Sequence, residues 1–133
     1  MRILPLLCPL ALLILLSGCV ATAPPLSPQE LSQIDYGPAP GNYEKIIKDH
    51  FAKTLFEPET AQYRFGKPFR GYQVSGPLLG GKVLEAGYVV EVWLKAKDRA
   101  GGFLPERHLG VLLKNGEVSI QLTESELSEV KRP

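Results

Sequence analysis

Cysteine is nearly absent from this chain: Cys8 and Cys19 are the only two among 133 residues. That count excludes a cluster of thiolate metal ligands. Histidine is just as scarce, and His50 and His108 are too far apart in sequence to form a paired-histidine metal motif. There is no Gly-x-Ser-x-Gly elbow and no Gly-rich phosphate loop ahead of a helix, so nucleophile and phosphate chemistry both lack their parts. No catalytic set, cofactor site or metal site is expected. An excess of either charge is missing too: fifteen Lys and Arg stand against fourteen Asp and Glu. Without a long-range field to attract it, nucleic acid is not an expected partner. The longest apolar run, Ile3 to Leu16, falls short of the ~20 residues a spanning helix needs, and Pro5 and Pro9 weaken it further.

What that run does have is an export pattern. Met1-Arg2 is a minimal positive start, the apolar stretch follows, and it ends in the small residues Ser17 and Gly18. Leu16-Ser17-Gly18-Cys19 resembles the bacterial lipobox at every position. The resemblance implies a cleaved signal peptide over 1–18, diacylglycerol on the Cys19 thiol and an acylated new amino terminus. Two or more acyl chains hold a protein stably to a membrane, whereas one does so only marginally. In Gram-negative members of the class an Asp directly after the lipidated Cys favours the inner membrane. Val20 stands here, which points to the outer membrane and a domain facing the periplasm.

Cleavage would discard Cys8 and leave no intramolecular disulfide, so the exported domain must rest on its hydrophobic core. The 115 residues from Cys19 onward carry fourteen basic and fourteen acidic side chains. They suffice for one domain burying about 65% of its unfolded surface. Residues 19–41 read as the lipidated Cys followed by a Pro/Ala-rich tether, and 42–133 as the folded domain. Within the tether, Ser27-Pro28-Gln29-Glu30 has the residues of a capping box with Pro at the first helical position, enough for one or two turns. Asp35 to Gly41 then breaks any helix.

The spacing of Tyr43, Ile47, Phe51 and Leu55, with Ile46 alongside, predicts an amphipathic helix over 43–56, capped by Asn42 and ended by Pro58. After it the period changes to two. Ala61, Tyr63 and Phe65 alternate with polar residues, and a short extended piece at Tyr72 to Val74 follows, both as edge strands. Leu78-Leu79-Gly80-Gly81 is a turn whose leucines either are covered by the fold or face a partner. Tyr88 to Lys97 is the strongest strand, its even-numbered face packed on the helix and its odd-numbered face mostly wet. Trp93 lies on that wet face and is expected to cover a neighbouring strand. Asn115-Gly116 suits a two-residue type I′ turn, which pairs Leu113 with Val118, Val111 with Ile120 and Leu109 with Leu122. Thr123 with Glu126 makes a second capping box for a helix over 124–131. The expected class is α+β: one N-terminal amphipathic helix packed on an antiparallel sheet of about four to five strands.

Leu55-Phe56-Glu57-Pro58-Glu59-Thr60-Ala61 resembles a Leu-x-Asp-Pro-x-Ser-Ala signature of a group of small bacterial envelope lipoproteins. Lys95-Ala96-Lys97-Asp98 leading to Gly101-Gly102-Phe103 resembles that group's later motif, with Glu57, Thr60 and Asp98 as departures. The resemblance implies no activity. Read physically, Glu57 to Ala61 is a structural corner, and Gly101-Gly102 is a hairpin connection that leaves its surroundings open to a partner. The expected function is a non-enzymatic binding or structural accessory, held at the membrane by Cys19 and docking an envelope protein, with Trp93, Gly101, Gly102 and Phe103 as the candidate surface. The alternative resembles an outer-membrane assembly lipoprotein family with two helices before a three-stranded sheet, although that family's Gly-Met-Thr opening is missing. A small-ligand carrier, or an enzyme using Glu85, Glu91 or Asp98, would require those carboxylates to converge in a cleft.

Overall fold

Val83–Lys95 forms a single thirteen-residue strand, and the other strands are laid along it. The computed structural model describes residues 24–133, so the signal peptide expected over 1–18 and the lipidation expected at Cys19 lie outside the described residues. In chain order the elements are α1 (Pro28–Ser32), α2 (Tyr43–Ala52), β1 (Gln62–Phe65), β2 (Phe69–Val74), β3 (Val83–Lys95), β4 (Arg107–Lys114), β5 (Glu117–Leu122) and α3 (Glu124–Glu129). All five strands join one antiparallel sheet, and the class is α+β.

β3 begins five residues before the expected Tyr88 because β2 pairs its first half, from Phe69↔Val89 to Val74↔Val83. β1 pairs its second half, from Gln62↔Lys95 to Phe65↔Val92. The two expected edge strands are therefore successive pieces of one edge, interrupted by Gly66-Lys67-Pro68, where Pro68 lacks a ladder donor. β4 lies on the other side of β3, and β5 beyond it.

Successive residues of β3 point to opposite faces, and both faces carry a core. On the inner face Ile47 and Phe51 of α2 are buried against Val90, Val92 and Leu94 of β3 and Leu109, Val111 and Leu113 of β4. Burial of each of these two helix side chains contributes about 2 kcal/mol. α2 stops at Ala52, four residues short of the expected end. The amides of Thr54 and Leu55 both close onto the Phe51 carbonyl at 3.0 Å, and Phe56 leaves to bridge Lys97 at the end of the sheet. Glu57 takes up that change of direction at φ +47°, and the Thr60 hydroxyl donates to the Glu57 carbonyl at 2.8 Å, which makes the expected corner. Asn42 occupies the N-cap position of α2 but makes no side-chain cap bond.

The outer face is not mostly wet. Val89, Leu112 and Leu122 form a second buried cluster there, roofed by Leu127 and Val130 from α3 and its C-cap. The hairpin explains how. Asn115 and Gly116 both have positive φ, as a type I′ turn requires, and Leu113 pairs with Val118. A bulge at Ser119 then shifts the register, so Ile120 faces Leu112, Gln121 faces Val111 and Leu122 faces Gly110. The expected Val111–Ile120 and Leu109–Leu122 pairs do not form. Val118 stays on the inner face, while Ile120 and Leu122 turn to the outer one, where α3 covers them.

Both capping boxes are made, by Ser27 with Glu30 and by Thr123 with Glu126, and these bonds hold the two carboxylates below their usual pKa. α3 ends at Glu129, short of the expected 131, because Lys131 pairs with Tyr72 at the edge of β2. Part of the 19–41 stretch is also packed: Leu26, Leu31 and Ile34 lie against the buried Tyr36, Tyr72 and Ala86. Burial raises the Tyr36 pKa, and its hydroxyl has no hydrogen-bond partner among the described residues.

Close packing at Gly87 is the sharpest test of this sheet. A Cβ there would lie 2.4 Å from the Leu113 carbonyl oxygen and 2.7 Å from Leu112 Cδ2. Gly87→Ala should cost about 3 kcal/mol in urea unfolding, whereas Gly102→Ala, with nothing within 4 Å, should change stability by less than about 0.5 kcal/mol. Tyr36→Phe removes an unpartnered buried hydroxyl and should be neutral or stabilising by up to about 1 kcal/mol, read from the shift in urea midpoint.

Candidate functional site

Where α3 does not cover the outer face, the sheet register lines up three side chains from three strands. Arg64 of β1 is opposite Trp93 of β3, and Trp93 is opposite His108 of β4. The His108 ring stacks on Trp93 with centroids 4.7 Å apart and planes 7° from parallel. The Arg64 guanidinium lies 4.9 Å from the Trp93 ring centroid, from the other neighbouring strand. Trp93 is half-buried and covers its neighbours, as expected of it.

Carboxylates close the two ends of this row. Arg64 Nη2 donates to Glu106 Oε1 at 2.8 Å. His108 Nδ1 is 3.2 Å from Glu124 Oε1, and its Nε2 is 3.2 Å from Glu91 Oε2. The bond to Glu124, supported by Glu91, raises the His108 pKa against the opposing effect of desolvation. The expected pairing of Leu109 with Leu122 puts His108 opposite Thr123. The bulge at Ser119 moves β5 by one residue, and Glu124 comes to His108 instead. These are accessible groups, so each pair stabilises the fold by no more than about 1 kcal/mol.

Phe103 lies farther along the same face. Its ring has the ammonium groups of Lys95 and Lys97 at 5.7 and 5.5 Å from the centroid, and it is 43% exposed. Lys97 Nζ also faces Glu57 Oε2 at 3.2 Å. Lys95 shares the odd-numbered face of β3 with Trp93, so the two aromatics belong to one surface. Gly101 and Gly102 close the loop beside it. Asp98 Oδ1 accepts from the amides of Ala100 and Gly102 at 2.9 and 3.2 Å, and Gly101 sits at φ +86°, which suits glycine. A Cβ at either position would meet nothing within 4 Å, so the space around both is open.

The other chemistry-bearing residues stay apart. Glu85 accepts from the Ser119 hydroxyl at 3.3 Å, Glu91 faces His108, and Asp98 holds its own loop. Glu85 and Glu91 are about 20 Å apart along β3. His50 is on the inner side, edge-on to Phe51 and 2.7 Å from the Gln121 amide nitrogen. Among the described residues no group of three or more His, Cys, Asp or Glu is arranged to hold a metal ion. The two nitrogens of His108 point to opposite sides of its ring, which keeps Glu91 and Glu124 from converging.

No family model, curated protein or solved structure matches this chain. The site therefore rests on its own geometry. The sequence pointed to Trp93, Gly101, Gly102 and Phe103, and offered Glu91 only as one of three carboxylates for an enzyme; it missed Arg64, His108 and Glu124, and with them the place of Glu91 beside His108. Arg64 carried a signal, being a polar residue in an alternating strand, but its opposition to Trp93 needed the register.

Trp93 is the single tryptophan, so its emission reads the imidazole stacked on it. Protonated His108 should quench it, with a midpoint above the ordinary 6.5, and Glu124→Gln should bring the midpoint down. The folded-state pKa is raised, so this contribution to stability is complete below about pH 6.5 and is lost as pH rises through the raised value. An emission titration unaffected by Glu124→Gln would refute the role given to that carboxylate.

Proposed function

We propose that this chain is a membrane-anchored envelope lipoprotein, lipidated on Cys19, that acts as a non-enzymatic accessory by docking another envelope protein on the outer sheet face around Trp93 and Phe103. The anchor is supported by Leu16-Ser17-Gly18-Cys19, and outer-membrane placement facing the periplasm is supported by Val20. In this reading α2 occupies the inner face as the packing helix of the N-terminal part, which leaves the outer face for recognition.

The docking reading is carried by one observation: α3 roofs only part of the outer face, and the remainder presents the half-buried Trp93 and the exposed Phe103 beside Lys95. Aromatic side chains contribute strongly at interfaces when a partner excludes water from them. The lysines flanking Phe103 suit an apolar partner side chain ringed by carboxylates. The assembly-lipoprotein alternative shares two helices ahead of the sheet, but its sheet has three strands where this one has five.

Crosslinking in intact cells followed by affinity capture tests the proposal. The anchored protein should capture one envelope protein in near-stoichiometric amount. A form lacking residues 1–19 should capture less, and Phe103→Ala combined with Lys95→Glu should reduce capture at least tenfold with the fold intact. If no form captures a partner, the accessory reading fails, and a bound small molecule or a hydrolytic activity becomes the object to assay.

A further inference from the structure

A second apolar surface lies at the opposite end of β3 from Phe103, on the tip between β2 and β3. Leu78 is 97% exposed, Leu79 72% and Leu84 63%, with Val83 beside them at 38%. Across residues 75–84 the only charged side chain is Lys82.

The tip is a built structure. Pro77–Leu79 forms one 3-10 turn, in which the Leu79 amide donates to the Gly76 carbonyl at 2.9 Å and the Gly80 amide to the Pro77 carbonyl at 3.1 Å. The buried Ser75 ties its base: the Ser75 amide donates to the Lys82 carbonyl at 2.8 Å, the Lys82 amide donates to the Ser75 hydroxyl at 2.9 Å, and that hydroxyl donates to the Leu79 carbonyl at 3.3 Å. Gly80 and Gly81 take positive φ to close the turn. Its backbone is thus largely satisfied internally while its leucines project outward, the combination a segment needs to enter an apolar boundary without exposing unpaired amides to it.

The chain's own start selects the occupant. Pro24, Pro25 and Leu26 line one open cleft of about 540 Å³ with Gly80 to Ala86, so the first described residues lie beside the tip. Cys19 is five residues before Pro24, and five extended residues span at most about 17 Å. A lipid on Cys19 therefore brings a bilayer within reach of Leu78, Leu79 and Leu84. β3 extends about 40 Å from this end to the Phe103 end. From these placements we propose that the β2–β3 tip inserts Leu78, Leu79 and Leu84 into the surface of the bilayer that holds the Cys19 lipid, with Lys82 at the headgroups. The inference rests on the anchor proposed above. It fixes the domain's orientation, with Gly101, Gly102 and Phe103 directed away from the membrane toward a partner.

The test uses the full chain, lipidated in cells and reconstituted into vesicles of phosphatidylethanolamine and phosphatidylglycerol. An environment-sensitive fluorophore is placed at Leu79→Cys or, at the far end, at Ala100→Cys. Intact mass first establishes whether the lipid is present. The label at 79 should show blue-shifted emission and at least threefold stronger quenching by doxyl-labelled lipid than the label at 100. A label at Leu84→Cys should lose most of its shift when Leu78→Asp is added, and Leu78 is exposed enough for that change to leave the fold intact. Water-like emission at 79 in a sample whose mass carries lipid overturns the inserted tip and leaves the anchor standing. A sample without lipid overturns the anchor itself, and the inference with it. A shift at 79 that appears only after envelope proteins are added overturns the bilayer as occupant in favour of a protein.

Discussion

Val89 and Val90 are consecutive residues on β3, they point to opposite faces, and neither has any exposed surface. A strand with both faces dry must be roofed on both sides, and the rest of the molecule follows from that requirement. α2 supplies the inner roof through Ile47 and Phe51, and α3 with its C-cap supplies the outer roof through Leu127 and Val130. Gly71 and Gly110 make the outer roof possible, since a Cβ at either would lie 2.7 Å from Val130 or 2.8 Å from Leu127. Small residues in the sheet let a two-turn helix with few apolar side chains approach closely enough to exclude water.

The outer roof is short, and its length divides the face into a buried part and a half-buried one. Val89, Leu112 and Leu122 lie under it, whereas Trp93, two turns of the pleat farther along β3, lies beyond it. There the sheet is covered by its own side chains, through cation–π and stacking contacts worth about 1 kcal/mol each at such accessible positions. A surface held by weak contacts can be reorganised by a partner at small cost, which an interface requires and a core does not. The apolar tip at the other end of β3 has the complementary property of an internally hydrogen-bonded backbone with exposed side chains. The strand that organises the core thus also sets the separation between the two surfaces.

The elements legible in sequence are those written in short-range patterns. Ser27 with Glu30, and Thr123 with Glu126, are three residues apart and make both capping boxes. Asn115-Gly116 makes its turn, Thr60 makes its corner, and the alternation of Tyr63 with Arg64 makes its edge strand. The misreadings share a different origin. α2 ends early because Phe56 is needed at Lys97, some forty residues on, and the hairpin register fails because Ser119 bulges to give Ile120 and Leu122 a place under α3.

The class, the capped helices, the turns and the inner apolar stripe were determined by the sequence alone, because their physics acts between residues within about one turn or one pleat of each other. Whether the odd-numbered face of β3 is wet or dry, and whether Arg64, Trp93, His108 and Glu124 meet, was decided only by the tertiary structure. Those outcomes depend on which strand lies beside which and on where a bulge falls. A single register step exchanges one face for the other while the local pattern of residues stays the same.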